Sequence, residues 1–475
     1  MNKKNEINLT SKKTPLKSTN MASKTIMAKK PNIVKSSRSD SSTDCIENSK
    51  LAIIDDLNAY KKYKRLCDQV TFLRNLPQPV QRSPEWFKLR EGMITASDGG
   101  SALGENHYEK RYNVIFKKCG LDMPFTENAA CFHGKKFETI ATMYHEFKNN
   151  AYVMAFGLIP HQGENKAVNF IGASPDGICG YNTFDGKLNK IVGRMLEIKC
   201  PPNRMIKTEG AIDGDIIPHY YWVQVQLQLE CCDLDECDFL QCKITEYRGR
   251  DEFMNDTNPL MKYLSAKTKY PKGCIIQLHE KDKPNDIFAA KWIYPPSIKM
   301  TAEECEVWAE KVKASCIEEH SEKGKYVFER IIYWKLDFAL CTLVKRDREW
   351  FANNFKRFKQ IWDYILYFRQ HKKLIADVKK YFDDNNIDQE NGMEIIEMVR
   401  NGDKEIINMI TKHSLTNGGS DNLQKKYSKF PSKFNNNHGG NHGTPANNGP
   451  IVKTPAMIEA RKKYKLEISG YMFTE

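Results

Sequence analysis

The chain has 475 residues and a formal net charge of +13, a length that suits one catalytic domain with accessory segments better than one small core. Hydrophobic residues make up 40% of it, enough for a core, and no apolar run approaches the ~20 residues that span a bilayer. That excludes a helical membrane protein, and the N-terminus lacks the short apolar core of a secretory signal, so an intracellular protein is expected.

The basic excess lies at the two ends. Residues 1–50 carry eleven Lys/Arg against four acids and residues 411–475 ten against four, which leaves 51–410 formally neutral. Basic tails attract nucleic acid, yet solubilising disorder accounts for them equally well. The fourteen cysteines read as reduced, buried small residues. Their one local group, Cys231, Cys232, Cys237 and Cys242, has no C-x-x-C pair and reads as core packing rather than a metal cluster.

In chain order, residues 1–50 form a disordered basic tail with too few apolar residues to fold alone. Residues 51–80 hold a helix and linker, with Leu51, Ile54, Leu57, Tyr60 and Tyr63 at helical spacing, broken by Pro77–Pro84. Over 81–300 helical and strand-like patterns alternate, which predicts a mixed α/β domain. Gly134–Lys148 reads as a helix, Val153–Pro160 as a strand, and Phe170–Ala173 and Arg194–Cys200 as strands. Pro218–Glu230 reads as a helix, and Cys237–Thr245 as a further strand. Stretches near Cys274–Leu278 and Ile287–Trp292 extend the sheet. Residues 301–413 are expected to be a helical C-terminal region: Thr301 and Glu304 form a capping box, and helical patterns cover Arg348–Phe382 and Met393–His413. In the first of these, Trp350, Phe351, Phe355, Phe358, Trp362 and Ile365 make an apolar packing face. Residues 414–475 are a low-complexity basic tail.

The chemistry gathers around FIGASPDGICGYNTFDGKLNKIVGRMLEIKCP. Asp185–Gly186 signals a turn; if the chain folds back there, paired positions sum to about 371 and Glu197 faces position 174, close to Asp176. Glu197 and Lys199 are two apart on one strand and so share a face. Two carboxylates can hold a hard cation such as magnesium, which acts as a Lewis acid on a phosphodiester, and a lysine can orient water or stabilise developing charge. Glu-x-Lys on a strand marks a solvated face just as well. Here the flanking Leu196 and Ile198 and the preceding Ser-Pro-Asp-Gly favour a buried site.

The α-β-β-β-α-β order, with Ser174-Pro175-Asp176-Gly177 and Glu197-Ile198-Lys199-Cys200-Pro201, resembles the restriction-endonuclease-like nuclease superfamily. More narrowly it is similar to the YqaJ-type viral recombinase group, which includes the phage lambda exonuclease. The similarity covers about Arg82 to Tyr247. It implies a restriction-endonuclease-like core around a mixed central sheet. It also implies that Asp176, Glu197 and the backbone carbonyl of Ile198 bind magnesium, with manganese as a substitute, and that Lys199 positions the attacking water. Glu138 in HGKKFE would touch the metal site directly or through water, and Gln224 in VQVQ would support it. Within EWFKLREGMITASDGG, Arg90 and Ser97 would grip a 5′-phosphate. A fork of guanidinium donors and a helix start at Ser97 suit that role, although an N-cap and a surface ion pair would explain them too.

The activity implied is a 5′-to-3′ exonuclease on double-stranded DNA ends in viral or phage recombination, working in the cytoplasm or where viral DNA replicates. A recombination partner protein and a homo-oligomer are part of that implication. An endonuclease using the same site, an RNA nuclease and a catalytically silent nucleic-acid-binding protein stay open.

Overall fold

The computed structural model describes residues 42–79, 83–121, 128–162, 169–283, 286–319 and 325–415, with backbone alone at 42–56 and 316–319. The chain divides into two units, residues 1–59 and 60–475. The described part of the first unit is the first half of helix α1 (Ser42–Asn75), which begins inside the segment 1–50 expected to be a disordered tail. The rest of the two basic tails, up to residue 41 and from 416 onward, lies outside the described residues.

In the second unit, α2 (Pro84–Glu91), β1 (Ile94–Thr95), α3 (Gly99–Ala102), α4 (Arg111–Lys118) and α5 (Ala129–Asn149) come first. Then follow β2 (Ala151–Met154), β3 (Ile159–Pro160), β4 (Ile171–Ala173), β5 (Gly177–Thr183), β6 (Met195–Lys199), α6 (His219–Cys232), β7 (Glu236–Glu246), α7 (Arg250–Asn255), β8 (Lys272–Glu280) and β9 (Lys291–Ile293). The chain closes with α8 (Ala302–Glu319), β10 (Tyr326–Lys345), α9 (Arg348–Gln370), α10 (Lys372–Asn385), α11 (Gln389–Arg400) and α12 (Lys404–Leu415).

A seven-stranded sheet runs β2-β5-β6-β7-β10-β8-β9, and a small sheet runs β1-β4-β3. In the large sheet β6 and β7 are parallel and the other neighbours antiparallel. The succession α5, β2, β5, β6, α6, β7 is the expected αβββαβ core around a mixed sheet, with helices α9 to α12 after it.

Helices cover both faces of the core strands. On one face α6 packs Val225, Leu229 and Cys232 against Met195, Cys237 and Phe239. On the other α5 packs Phe137, Ile140, Ala141 and Tyr144 against Leu196, Ile198, Leu240 and Cys242. Strand β6 is therefore covered on both sides, as a central strand with a parallel neighbour must be; Glu197 on it is buried and Lys199 at its end is half-buried. The free cysteines Cys231, Cys232, Cys237 and Cys242 are all buried, as the packing reading expected.

Four differences from the sequence expectations have identifiable causes. The stretch Val153–Pro160 is two strands in two sheets, since β2 pairs with β5 and β3 with β4. The segment around Phe170–Ala173 joins the small sheet, and the hairpin partner of β6 is β5. Near the turn, Thr183 and Lys187 pair as a register summing to about 370 requires. An additional turn at 190–193 then shifts the site end, where Gly177 pairs with Leu196 and Ile178 with Met195. This places Asp176 opposite Glu197 rather than two residues away.

The third difference is β10, inside the region expected to be helical and seated between β7 and β8 in the sheet. The fourth is that each long C-terminal helical pattern is a pair of helices, broken at His371 and at Asn401–Gly402. Gly402 has φ +81°, which glycine adopts without strain. The capping box at Thr301 and Glu304 is present in both directions. The α9 stripe is a packing face: Phe358 and Ile365 are fully buried, and Trp362 stacks on Phe170 with ring centroids 5.6 Å apart.

Candidate active site

Three charged residues meet at the end of the β5–β6 hairpin. Asp176 lies just before β5, and its Oδ2 accepts a hydrogen bond from the backbone N–H of Ile198 at 2.7 Å. Glu197, 1% exposed, points to the α6 face of β6. Its Oε1 accepts from Lys199 Nζ and, at 2.7 Å, from Gln224 Nε2; its Oε2 accepts from Gln228 Nε2, also at 2.7 Å. The Lys199 ammonium sits 4.5 Å from the ring centroid of Tyr221. A carboxylate removed from water needs such partners, because leaving it unpaired costs several kcal/mol.

The electrostatics are asymmetric. Burial, then the charges of Glu197 and Glu138, push the Asp176 carboxyl well above the usual range. The Lys199 ammonium, though buried, is held above the usual lysine range by Glu197 and Asp176. Glu138, on the solvent side of α5, thus acts on the same pocket as Asp176. Three acids against one lysine leave net negative charge in a low-dielectric site, the condition under which a cation is bound. No protein donor among the described residues reaches Asp176 Oδ1, and carboxylate and carbonyl oxygens are the donor set that hard divalent ions take. Asp176, Glu197 and the Ile198 carbonyl supply that donor chemistry, and the exposed Glu138 acts on it through its charge.

From the sequence, Gln224 alone has an assigned role; Gln228, four residues on in α6, is a second clamp. Both reach Glu197, one per oxygen, because residues four apart share a helix face. Gln228 also lies 3.5 Å from the Ser174 carbonyl, while its own Oε1 is buried without a partner.

Arg90 and Ser97 come together around Thr95. Arg90 Nη2 lies 3.4 Å from Thr95 Oγ1, Ser97 Oγ lies 3.1 Å from the same atom, and the guanidinium covers the Trp86 ring at 4.6 Å. The helix start is one step earlier than expected. Thr95, not Ser97, caps the turn, in a capping box with Asp98, and Ser97 is left exposed. Asp98 is buried between Lys117 (2.8 Å) and Lys118 (2.9 Å), which hold its carboxyl far below the usual range against the cost of burial.

This segment packs directly on α6. A Cβ on Gly99 would overlap Leu227, and one on Gly100 would fall 2.8 Å from Tyr220 Cβ. The two glycines of ASDGG are what allow this approach. One helix, α6, thus carries both clamps of Glu197 and the floor beneath the Arg90–Ser97 element.

The histidines stand apart from the triad. His133 packs edge-on to Phe137, His161 lies 3.5 Å from Glu230, and His219 is held between Glu105 and Asp213. A group formed by His145, Asp238 and Cys341 lies on the α5 face. Arg194, 3.7 Å from Asp238, already supplies its countercharge. Arg204 donates to Gln241 at 2.9 Å, and Lys207 is exposed.

Comparison with known proteins gives four matches. Residues 85–235 match the model of the YqaJ-like viral recombinase domain. An uncharacterized protein of Acanthamoeba polyphaga mimivirus is 38% identical over 379 residues, covering 78% of this chain and 67% of that protein. A protein of African swine fever virus (strain Badajoz 1971 Vero-adapted) is 28% identical over 218 residues, 40% of this chain and 59% of its own length. Among solved structures, an alkaline exonuclease from Laribacter hongkongensis aligns with 62% of this chain and 98% of its own, at 17% identity and a TM-score of 0.32. The matched segment holds Arg90, Ser97, Glu138, Asp176, Glu197, Lys199 and Gln224, the residues from which the site is built, and the chain belongs to the YqaJ-like viral recombinase family.

Proposed function

We propose that the protein is a divalent-metal-dependent nuclease that hydrolyses DNA phosphodiesters at the Asp176–Glu197–Lys199 site, acting as a 5′-to-3′ exonuclease on double-stranded ends. The observation that carries this reading is the buried Glu197 carboxylate, clamped by Lys199, Gln224 and Gln228 and paired across the hairpin with an electrostatically strained Asp176. Magnesium, or manganese in its place, would be held by Asp176, Glu197, the Ile198 carbonyl and Glu138, and would supply Lewis acidity at the phosphate.

The protein's own groups do the rest. Gln224 and Gln228 fix the Glu197 oxygens, so no reorganisation is needed as charge develops. Lys199, an ammonium held between two acidic neighbours, can donate hydrogen bonds to the incoming water or to a phosphoryl oxygen. Arg90 and Ser97 offer donors for a terminal phosphate, which would set the direction of travel by seating the 5′ end. The viral relatives support a setting in viral DNA recombination or processing.

The test is degradation of a linear duplex, a closed circular duplex and an RNA of equal length. Wild type should shorten the linear DNA in magnesium, and Asp176→Asn should not. Equal cutting of the closed circle would favour an endonuclease, faster loss of RNA an RNA nuclease, and identical behaviour of wild type and variant a binding protein.

A further inference from the structure

Beside the catalytic lysine the surface carries aromatic rings that the proposed hydrolysis does not use. Tyr221, under the Lys199 ammonium, has its ring centroid 4.3 Å from that of Tyr220. Tyr220 in turn meets His107 and Tyr108, each at 5.7 Å, and His107 and Tyr108 lie 3.9 Å apart. Tyr108 is 75% exposed. The rings thus run from the triad out to solvent without a break.

The outer rings are held in place. Tyr220 rests against Gly100 of α3. The loop that bears His107 and Tyr108 is tied at several points: Glu105 accepts from His219 at 2.9 Å and Arg357 at 2.6 Å, Ser101 Oγ donates to Glu109 at 2.5 Å, and Asn106 contacts both Ser101 and the Tyr108 N–H at 3.0 Å. A tyrosine free to bury its ring would do so, since aromatic burial is worth several kcal/mol. Here a tied loop keeps one in water, next to a reactive site, on the segment that follows the Arg90–Ser97 element.

We infer that Tyr108, with His107 and Tyr220, is a stacking platform for unpaired nucleobases of the strand being cut. The occupant follows from the surface. It is aromatic, open to solvent at Tyr108 and continuous with the Lys199 site, with the rings set edge-on or tilted to one another. A base freed from its partner near a scissile phosphate offers a π-face that any aromatic ring accepts without regard to sequence. An enzyme that consumes DNA of every sequence needs that tolerance. This inference rests on the nuclease reading, and its test separates the two.

The full chain in EDTA is titrated with duplexes whose first four base pairs are mismatched and carry 2-aminopurine at each of these positions in turn. Stacking should quench the fluorophore at one or more positions. Tyr108→Ala should abolish that quenching and weaken binding about tenfold, the worth of one base–aromatic contact, whereas Tyr108→Trp should retain both. Replacing the quenched base by an abasic residue should make wild type and Tyr108→Ala bind alike. The platform is overturned if wild type binds without quenching at any position, or if Tyr108→Ala quenches and binds as wild type does. If wild type meanwhile degrades linear duplex in magnesium, the nuclease reading survives that result. A chain that neither binds nor cuts DNA overturns both.

Discussion

Glu197 is where the polar groups of the site converge, and each of its oxygens depends on a different residue. Gln228 is the least expected of these, since it is fully buried and its amide N–H bonds to Oε2. Gln228→Leu should leave the fold intact, lower activity by about 10- to 100-fold, and raise the magnesium concentration needed for half-maximal rate; an unchanged magnesium dependence would remove Gln228 from the site. On α2, Arg90→Ala should erase any preference for 5′-phosphorylated over 5′-hydroxyl ends in a paired cleavage assay, and a retained preference would end the proposed grip. His219 offers a pH signature of its own. With Glu105 and Asp213 both accepting from it, its pKa is pushed up to about 9 from 6.5. A group raised in the folded state stabilises fully below its unfolded pKa and loses that contribution as pH rises through the folded one. His219→Gln should therefore cost on the order of 2–3 kcal/mol near pH 6 and little by pH 10, measured by denaturant melts. An equal cost at both pH values would contradict the ion-pair account.

Strand β10 shows where sequence patterns mislead. Its twenty residues contain two register shifts, between Phe328 and Arg330 and between Leu336 and Phe338. Each bulge flips the inward face by one residue and erases the period-2 signal over the whole length. The core elements α5, β6, α6 and β7 were legible because none carries such a fault: Phe137, Ile140, Ala141 and Tyr144 keep helical spacing, and Leu196 and Ile198 alternate cleanly with Glu197 and Lys199. The hairpin was legible from Asp185–Gly186, but its final register was not, because the turn at 190–193 is marked only by Gly193 (φ +74°) after Lys190, Ile191 and Val192, which do not signal a second reversal. Gln228 was visible as a polar residue at i+4 from Gln224; only the fold shows that both point at one carboxylate. Trp334, on β10, is 1% exposed and packs over Gly273. Trp334→Ala should destabilise the protein by about 3–5 kcal/mol, read from the denaturation midpoint; a loss below about 1 kcal/mol, the range of ordinary surface substitutions, would mean that β10 is not a core strand.

For the molecule as a whole, β10 implies that the catalytic core does not end where the alternating pattern does. Ile332, Trp334 and Leu336 belong to the same core cluster as Leu196 and Ile198, so residues 60–300 alone would leave the edges of β7 and β8 unpaired and that cluster open. Such a fragment should lack a cooperative melt, whereas residues 60–415 should keep one; cooperative folding and cutting by 60–300 would refute the dependence. The formally neutral middle of the chain also shifts the weight of the argument from overall charge to a few placed residues. The most direct measurement of the central claim is shortening of an end-labelled linear duplex by the full chain as magnesium is titrated, with Glu197→Gln and Lys199→Gln alongside. Wild type should show a rate that rises from zero with magnesium and saturates, and both variants should lose at least about a hundredfold; equal rates in EDTA and magnesium, or variants as fast as wild type, would contradict the account.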